Sequence, residues 1–194
     1  MANPYREIFS APGTKAFSGA GLIARMPISM VGIGIITMLA QLQGSYWLAG
    51  GVAATFALAT ALLAPQISRW VDRYGQSRIL PGVTAIGVSA LLALLLCSHF
   101  GAPDWTLFVF AALSGCMPSM SAMVRARWTE LYRGSPKLHT AFSFESVLDE
   151  VSFIIGPPIS VGLSVALFPQ AGPLAAAILL AIGVSVFVLQ RSTE

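Results

Sequence analysis

The chain has 194 residues, of which 56% are hydrophobic and only 10% are charged, and its mean hydropathy is +0.77. Soluble domains carry about 25% charged residues, so this composition excludes an ordinary soluble domain and indicates that the protein resides in lipid. The net charge of +3 comes from only eleven Lys and Arg residues, too few for a broad basic face, so nucleic acid is not an expected partner.

Uninterrupted apolar stretches predict six membrane-spanning helices. Residues 79–98 and 105–124 contain no charge, and each stretch is long enough to cross about 30 Å of hydrocarbon. Residues 26–68 and 151–190 are also free of charge and are long enough for more than one helix, since turn sequences interrupt them at 41–45 and 168–173. The predicted spans are 16–40, 47–68, 79–99, 105–126, 140–167 and 173–190.

The positions of Lys and Arg predict the orientation of these spans. Ten of the eleven lie before span one, between spans two and three, between spans four and five, or after span six. Because basic residues concentrate on the cytoplasmic side, both termini are predicted to be cytoplasmic. We expect a cytoplasmic lead-in at 1–15 rather than a signal peptide, a transmembrane domain at 16–190 and a cytoplasmic tail at 191–194, in a bacterial inner or cell membrane.

Charges inside the predicted spans are the candidate functional residues, because a charge that faces lipid costs a few kcal/mol. Arg25 lies in span one, and Glu145, Asp149 and Glu150 lie at a comparable depth in span five. Glu145 and Asp149 are four residues apart on one helix face, whereas Glu150 is rotated by about 100°. We expect Arg25 to pair with Asp149 or Glu145.

Such a pairing permits two interpretations. Carboxylates in a low-dielectric site take up protons more readily than in water, and an arginine that changes partners would couple proton uptake to helix movement. The alternative is a permanent structural pair that holds span one against span five. Arg125 and Arg127, at the cytoplasmic end of span four, could also pair with Glu145 but are expected to be solvated.

The connection between spans two and three contains Asp72, Arg73 and Gly75, preceded by Ser68 and followed by Arg78. It resembles the signature loop of the major facilitator superfamily, Gly-x-Leu-Ala-Asp-Arg-x-Gly-Arg-Lys. The Asp, Arg and second Gly match at the same spacing, Ser68 replaces the first glycine, and Arg78 keeps one positive charge just beyond the motif. Gly75 is suited to a positive φ in a tight turn, and Asp72 to capping a helix or pairing with a basic residue. In the family this loop latches the two transporter halves, and the resemblance implies the same conformational role here.

The sequence Gly-Pro-Pro-Ile-Ser in span five resembles the Gly-Pro-x-x-Gly-Gly motif of family members that export substrate by antiport. Ser152, Gly156 and Ser160 form a small-residue stripe that permits close helix packing, and Pro157 loosens the backbone hydrogen bonding. A purely structural packing role would explain these residues equally well. The fourth-span Arg-x-x-x-Gly motif of the family is missing, because Ala111 occupies the arginine position.

The resemblance implies an all-α membrane protein whose six transmembrane helices form two three-helix repeats, at about 16–99 and 105–190, as in the N-terminal half of such a transporter. The implied function is secondary active transport of a small, rather apolar molecule by alternating access. The implied direction is export, and the implied coupling ion is the proton. The implied partners are the lipid bilayer, the substrate, protons and a second six-helix half from the same gene, a separate chain or a homodimer.

Spans one and four line the substrate cavity in this family, and their methionines are candidate contacts, although they could merely pack. The candidate substrate contacts are Met26, Met30, Met117 and Met120. The competing hypothesis is a non-transporting six-span assembly or interaction protein whose buried charges only pair helices. The sequence contains no nucleotide-binding loop, metal-ligand motif or nucleophile elbow, so we expect no enzyme activity, cofactor or metal site.

Overall fold

A computed structural model describes residues 4–190, and all the regular secondary structure in this range is helical. The helices are α1 (Pro4–Ile8), α2 (Thr14–Gln43), α3 (Tyr46–Tyr74), α4 (Gln76–His99), α5 (Asp104–Ser114), α6 (Met120–Tyr132), α7 (Lys137–Ala166) and α8 (Ala171–Leu189). Five of them, α2, α3, α4, α7 and α8, are long and apolar enough to cross a membrane. The prediction of an all-helical, multi-span membrane protein is therefore confirmed.

The predicted continuous fourth span, 105–126, is wrong, because the chain breaks between α5 and α6 at 115–119. Pro118 has no backbone N–H and cannot donate to the carbonyl group one turn earlier. Gly115 approaches α3 closely, since a Cβ atom there would lie 2.8 Å from the backbone nitrogen of Thr60. After the break, α6 continues to Tyr132 and carries Arg125 and Arg127, which were expected at the cytoplasmic end of span four.

The connection between α3 and α4 is a single residue, much shorter than predicted. Gly75 has φ 89° and ψ 151°, a conformation that is essentially restricted to glycine, in agreement with the positive φ expected for it. Its N–H donates to the carbonyl oxygen of Val71 at 2.8 Å, and its own carbonyl accepts from Ile79 at 3.3 Å. The predicted loop is therefore helical on both sides of Gly75.

Helix α2 packs against α3, α6, α7 and α8, whereas α4 packs against α3, α5 and α8. The contact between α2 and α7 uses the small-residue stripe of α7. Ser29 of α2 donates to the carbonyl oxygen of Ser152 at 2.9 Å, and Ser160 donates to that of Met30 at 2.9 Å. Gly156 lies between these two bonds, where a Cβ atom would collide with the Ser29 hydroxyl. The helices are therefore as close as the stripe predicts.

Part of the predicted lead-in is folded, because α1 packs on α7 and α2 already begins at Thr14. Ile8 is fully buried, and its carbonyl oxygen accepts a hydrogen bond from the Tyr132 hydroxyl at 2.8 Å. The predicted tail at 191–194 and the first three residues of the lead-in lie outside the described residues.

Candidate functional site

The site is a cluster of charged side chains where α2, α6 and α7 meet. Arg25 projects from α2 and is only 3% exposed. Its Nε donates to the carbonyl oxygen of Gly21, one helical turn earlier, at 3.3 Å. Its two terminal nitrogens reach α7, where they form ion pairs with both Glu145 and Asp149. The structure therefore brings Arg25 to both carboxylates that were its alternative partners.

Glu145 is the closed end of the cluster, with no solvent exposure. One carboxylate oxygen pairs with Arg25, and the other accepts hydrogen bonds from Trp128 Nε1 at 2.8 Å and from the Ser18 hydroxyl at 3.1 Å. The backbone carbonyl of Glu145 accepts a further bond from Arg25 at 3.2 Å. A buried carboxylate is stable only when it is paired and hydrogen-bonded, and Glu145 satisfies both conditions.

Asp149 is the open end of the cluster, since 22% of its side chain is exposed. Its Oδ1 accepts from Arg25 at 2.9 Å and from the Ser121 hydroxyl, and its Oδ2 accepts from Arg125 at 2.7 Å. Arg125 and Ser121 belong to α6, whereas Arg25 belongs to α2. One carboxylate on α7 therefore connects three helices.

The cluster contains two arginines and two carboxylates, so its formal charges balance. A proton added to Asp149 would leave one excess positive charge and weaken its bonds to both arginines. Arg125 is 35% exposed and can turn towards water, whereas Arg25 would keep Glu145. The arrangement can thus convert protonation of one group into loss of a contact between helices.

Two predictions about neighbouring charges are wrong. Glu150 does not join the cluster: it is exposed on another face of α7, and none of the four ion pairs within residues 4–190 includes it. The rotation of about 100° per residue that separates it from Asp149 is the reason. Arg125 was expected to be solvated but pairs with Asp149, because α6 packs against α7.

Arg127 was also expected to be solvated, and it is 1% exposed. Its Nε donates to the side-chain oxygen of Gln76 at 3.0 Å, and its terminal nitrogens donate to the backbone carbonyls of Phe187 and Gln190, each at 3.1 Å. The guanidinium also lies over the Phe187 ring, 3.8 Å from its centre. Arg127 therefore caps the C-terminal end of α8 and ties it to the start of α4.

The residues that match the signature loop lie on the surface around the junction of α3 and α4. Asp72, Arg73 and Arg78 are exposed. Neither role expected of Asp72 is observed. It lies inside the last turn of α3, α4 begins after Gly75 without a side-chain cap, and none of the ion pairs among the described residues includes Asp72. Arg73 lies over the ring of Tyr74, 5.6 Å from its centre.

The candidate methionines belong largely to the helix packing. Met30, Met117 and Met120 are buried, and Met26 is partly buried against the core. Met117 and Met120 also line a cavity of about 30 Å³ beside Arg25 at the break between α5 and α6. Within residues 4–190, no group of three His, Cys, Asp or Glu side chains is arranged to hold a metal ion.

Three polar partners of the cluster, Ser18, Ser121 and Trp128, were missed by the sequence analysis. Ser18 lies seven residues before Arg25, a spacing that puts both on one face of a helix, so periodicity could have identified it. Ser121 and Trp128 show the same spacing of seven. Their helix, however, begins only after the break that the sequence analysis did not predict.

A family model described as Major Facilitator Superfamily matches residues 17–194. No curated protein and no solved structure matches the chain. The matched range contains every member of the charge cluster, from Ser18 to Asp149.

Proposed function

The chain belongs to the major facilitator superfamily, and on that premise we propose that it forms half of a secondary transporter that exports a small, rather apolar molecule in exchange for protons. Members of this family are membrane transporters, not enzymes, and the five apolar helices indicate a multi-pass protein in contact with lipid. Proton coupling, export and alternating access are our proposal.

The observation that carries the proposal is the unequal access of the two carboxylates. Glu145 is fully enclosed and keeps Arg25 in place, whereas Asp149 is partly exposed and is shared by Arg25 and Arg125. We therefore assign Asp149 as the proton-accepting group and Arg25 as its positioning partner. Protonation of Asp149 would release Arg125, loosen α6 from α7, and so favour one of two arrangements of the helices.

We propose that α5 and α6 together form one broken crossing, which makes six. Irregular backbone at membrane depth is tolerated where it is buried in protein or lines a water-filled cavity. The helix contacts support two three-helix repeats, at about 16–99 and 105–190. In such repeats, span one corresponds to span four and span six corresponds to span three. The contact between α2 and α8, which are spans one and six, should then have a counterpart between α5 and α4, which belong to spans four and three. Both contacts are present.

A second six-helix half would complete the transport cavity. Glu150 supports this part of the proposal, because it is exposed within predicted span five, and an acidic side chain facing lipid would cost a few kcal/mol. It is better accommodated by water or by another protein surface. That half would come from the same gene, a separate chain or a second copy of this chain. Asp72, Arg73, Gly75 and Arg78 would then form the conformational loop that latches the halves.

The proposal of export, rather than uptake, rests on the resemblance of the Gly-Pro-Pro-Ile-Ser segment of α7 to the export motif. In the proposal, Pro157 weakens the backbone where α7 must bend while Gly156 stays packed on α2. Met26, Met30, Met117 and Met120 are the proposed substrate contacts, in the cavity that a second half would complete. Both termini are proposed to be cytoplasmic, with no nucleic acid partner, in a bacterial inner or cell membrane.

The alternative is a non-transporting six-span assembly or interaction protein. The observation that favours it is the complete satisfaction of Glu145, which suits a permanent pair with Arg25. The two functions differ in what they require of Asp149. A transporter needs this group to change its protonation state, whereas a structural pair needs it to remain charged.

Asp149→Asn in the full-length or paired protein tests the proposal. Everted membrane vesicles energised by a pH gradient would report movement of the lipophilic cationic dye ethidium, with Glu150→Gln as the matched control one residue away. We expect Asp149→Asn to abolish gradient-driven movement while the protein still folds, and Glu150→Gln to retain gradient-driven movement. Gradient-driven movement by Asp149→Asn would refute the assignment, and loss of folding in this variant would favour the structural role.

A further inference from the structure

The break between α5 and α6 contains a small cavity lined by apolar side chains together with one arginine and two serines. Its volume is about 30 Å³, and its lining includes Arg25, Met117, Ser119, Met120 and Ser121. A cavity needs about 10–15 Å³ and two to four polar partners to hold one water molecule, so this volume is sufficient for one. It is far smaller than the several hundred Å³ that a drug-sized ligand occupies.

Arg25 has one hydrogen-bond donor left over in this buried position. A guanidinium has five N–H groups. Four are used, towards the carbonyl oxygens of Gly21 and Glu145 and the carboxylates of Glu145 and Asp149. Within residues 4–190 the fifth has no protein acceptor. Because Arg25 is 3% exposed, this donor needs an acceptor inside the protein, and water is the acceptor that fits the cavity volume.

The broken backbone supplies further polar groups to the same cavity. The first turn of a helix has N–H groups without intrahelical acceptors. In the part of the chain that the structure describes, no backbone carbonyl accepts from Met120 or Ser121. The Ser121 hydroxyl uses its proton for Asp149, so its oxygen lone pairs remain able to accept. A water molecule would therefore find both donors and acceptors.

We propose that this cavity is a water-binding site, in which water accepts from the fifth N–H of Arg25 and donates to the hydroxyl oxygen of Ser119 or Ser121. The bound water would satisfy the broken backbone of the fourth crossing and hydrate the arginine that partners Asp149. Its presence does not require transport, although its role in hydrating the cluster rests on the proposed function.

Radiolytic hydroxyl labelling of the whole protein in lipid nanodiscs, read by mass spectrometry, tests the site. Radicals form from water in place, so a buried methionine is oxidised only where water lies beside it. Met117 and Met120 are 2% and 3% exposed and line the cavity, whereas Met123 is equally buried at 3% and does not. We expect Met117 and Met120 to be labelled several-fold faster than Met123. Equal rates for the three would overturn the proposal.

A cavity-filling variant gives a second test. Ser119→Leu should reduce labelling of Met117 and Met120 to the Met123 rate, whereas Ser89→Leu, exposed on α4, should leave it unchanged. Persistent fast labelling in Ser119→Leu would also overturn the proposal. If this variant does not fold, the comparison within the unmodified protein still decides. The measurement uses no substrate or gradient, so a dry cavity and a failure of proton coupling are separate results.

Discussion

Replacing Arg25 by Met should strongly destabilise the folded protein. Met preserves much of the side-chain volume but removes the charge, which leaves Glu145 fully buried with no cationic partner among the described residues. Removing one partner of a buried ion pair costs about 3–5 kcal/mol. Because about 1.4 kcal/mol corresponds to tenfold, the ratio of folded to unfolded protein should fall by about 100-fold or more.

The double variant Arg25→Met/Glu145→Gln separates the charge effect from lost packing. Gln retains an oxygen that can accept from Trp128 and Ser18 but carries no charge, so the double variant should be more stable than Arg25→Met alone. Arg133→Met is the control, since its partner Glu130 is 63% exposed and such surface pairs contribute little.

Reversible unfolding in mixed micelles, followed by circular dichroism, would measure the free energy of unfolding of all three variants. The reasoning is refuted if Arg25→Met is no more destabilising than Arg133→Met. It is also refuted if the double variant is less stable than Arg25→Met, because the buried charge would then not be the source of the loss.

Two further predictions concern glycines. Gly156→Ala should lower the free energy of unfolding by about 1–3 kcal/mol, because the new methyl group displaces the Ser29 hydroxyl from its hydrogen bond to α7. Gly162→Ala is the control in the same helix, since its methyl group meets no atom within 4 Å and should be neutral or slightly stabilising. Equal effects of the two substitutions would contradict the packing argument. Gly75→Ala should cost about 1–3 kcal/mol, because its φ of 89° and ψ of 151° are strained for any side chain. A thermal melt that is unchanged relative to Gly82→Ala, an open position in α4, would contradict this.

The sequence alone was sufficient for the all-helical, multi-span class of the protein and for the two alternative partners of Arg25. Charges are rare in lipid because they are costly, so uninterrupted apolar stretches identify the spans and the few interior charges stand out. Arg25, Glu145 and Asp149 were found in this way. Helical periodicity also placed Glu145 and Asp149 on one face of the helix, and this face continues into the stripe of Ser152, Gly156 and Ser160, which needs no knowledge of the partner helix.

The tertiary structure determined which further residues belong to the charge cluster. Arg125 reaches Asp149 from α6, the helix that begins after the break, whereas Arg127 on the same helix reaches the end of α8. A proline and a glycine indicate that a span can break, but not whether it does, because neighbouring helices determine whether the freed backbone groups find partners.

The same limit explains the different fates of three acidic residues in one helix. Local sequence shows that Glu145, Asp149 and Glu150 share span five, but their environments depend on how α7 is rotated against α2 and α6. That rotation is set by packing along the whole α2–α7 contact, and it leaves Glu145 enclosed, Asp149 partly exposed and Glu150 outside. The sequence therefore determined that the site contains charged residues inside the predicted spans, whereas the exposure of each carboxylate to water was determined by the packing of segments that are distant in sequence.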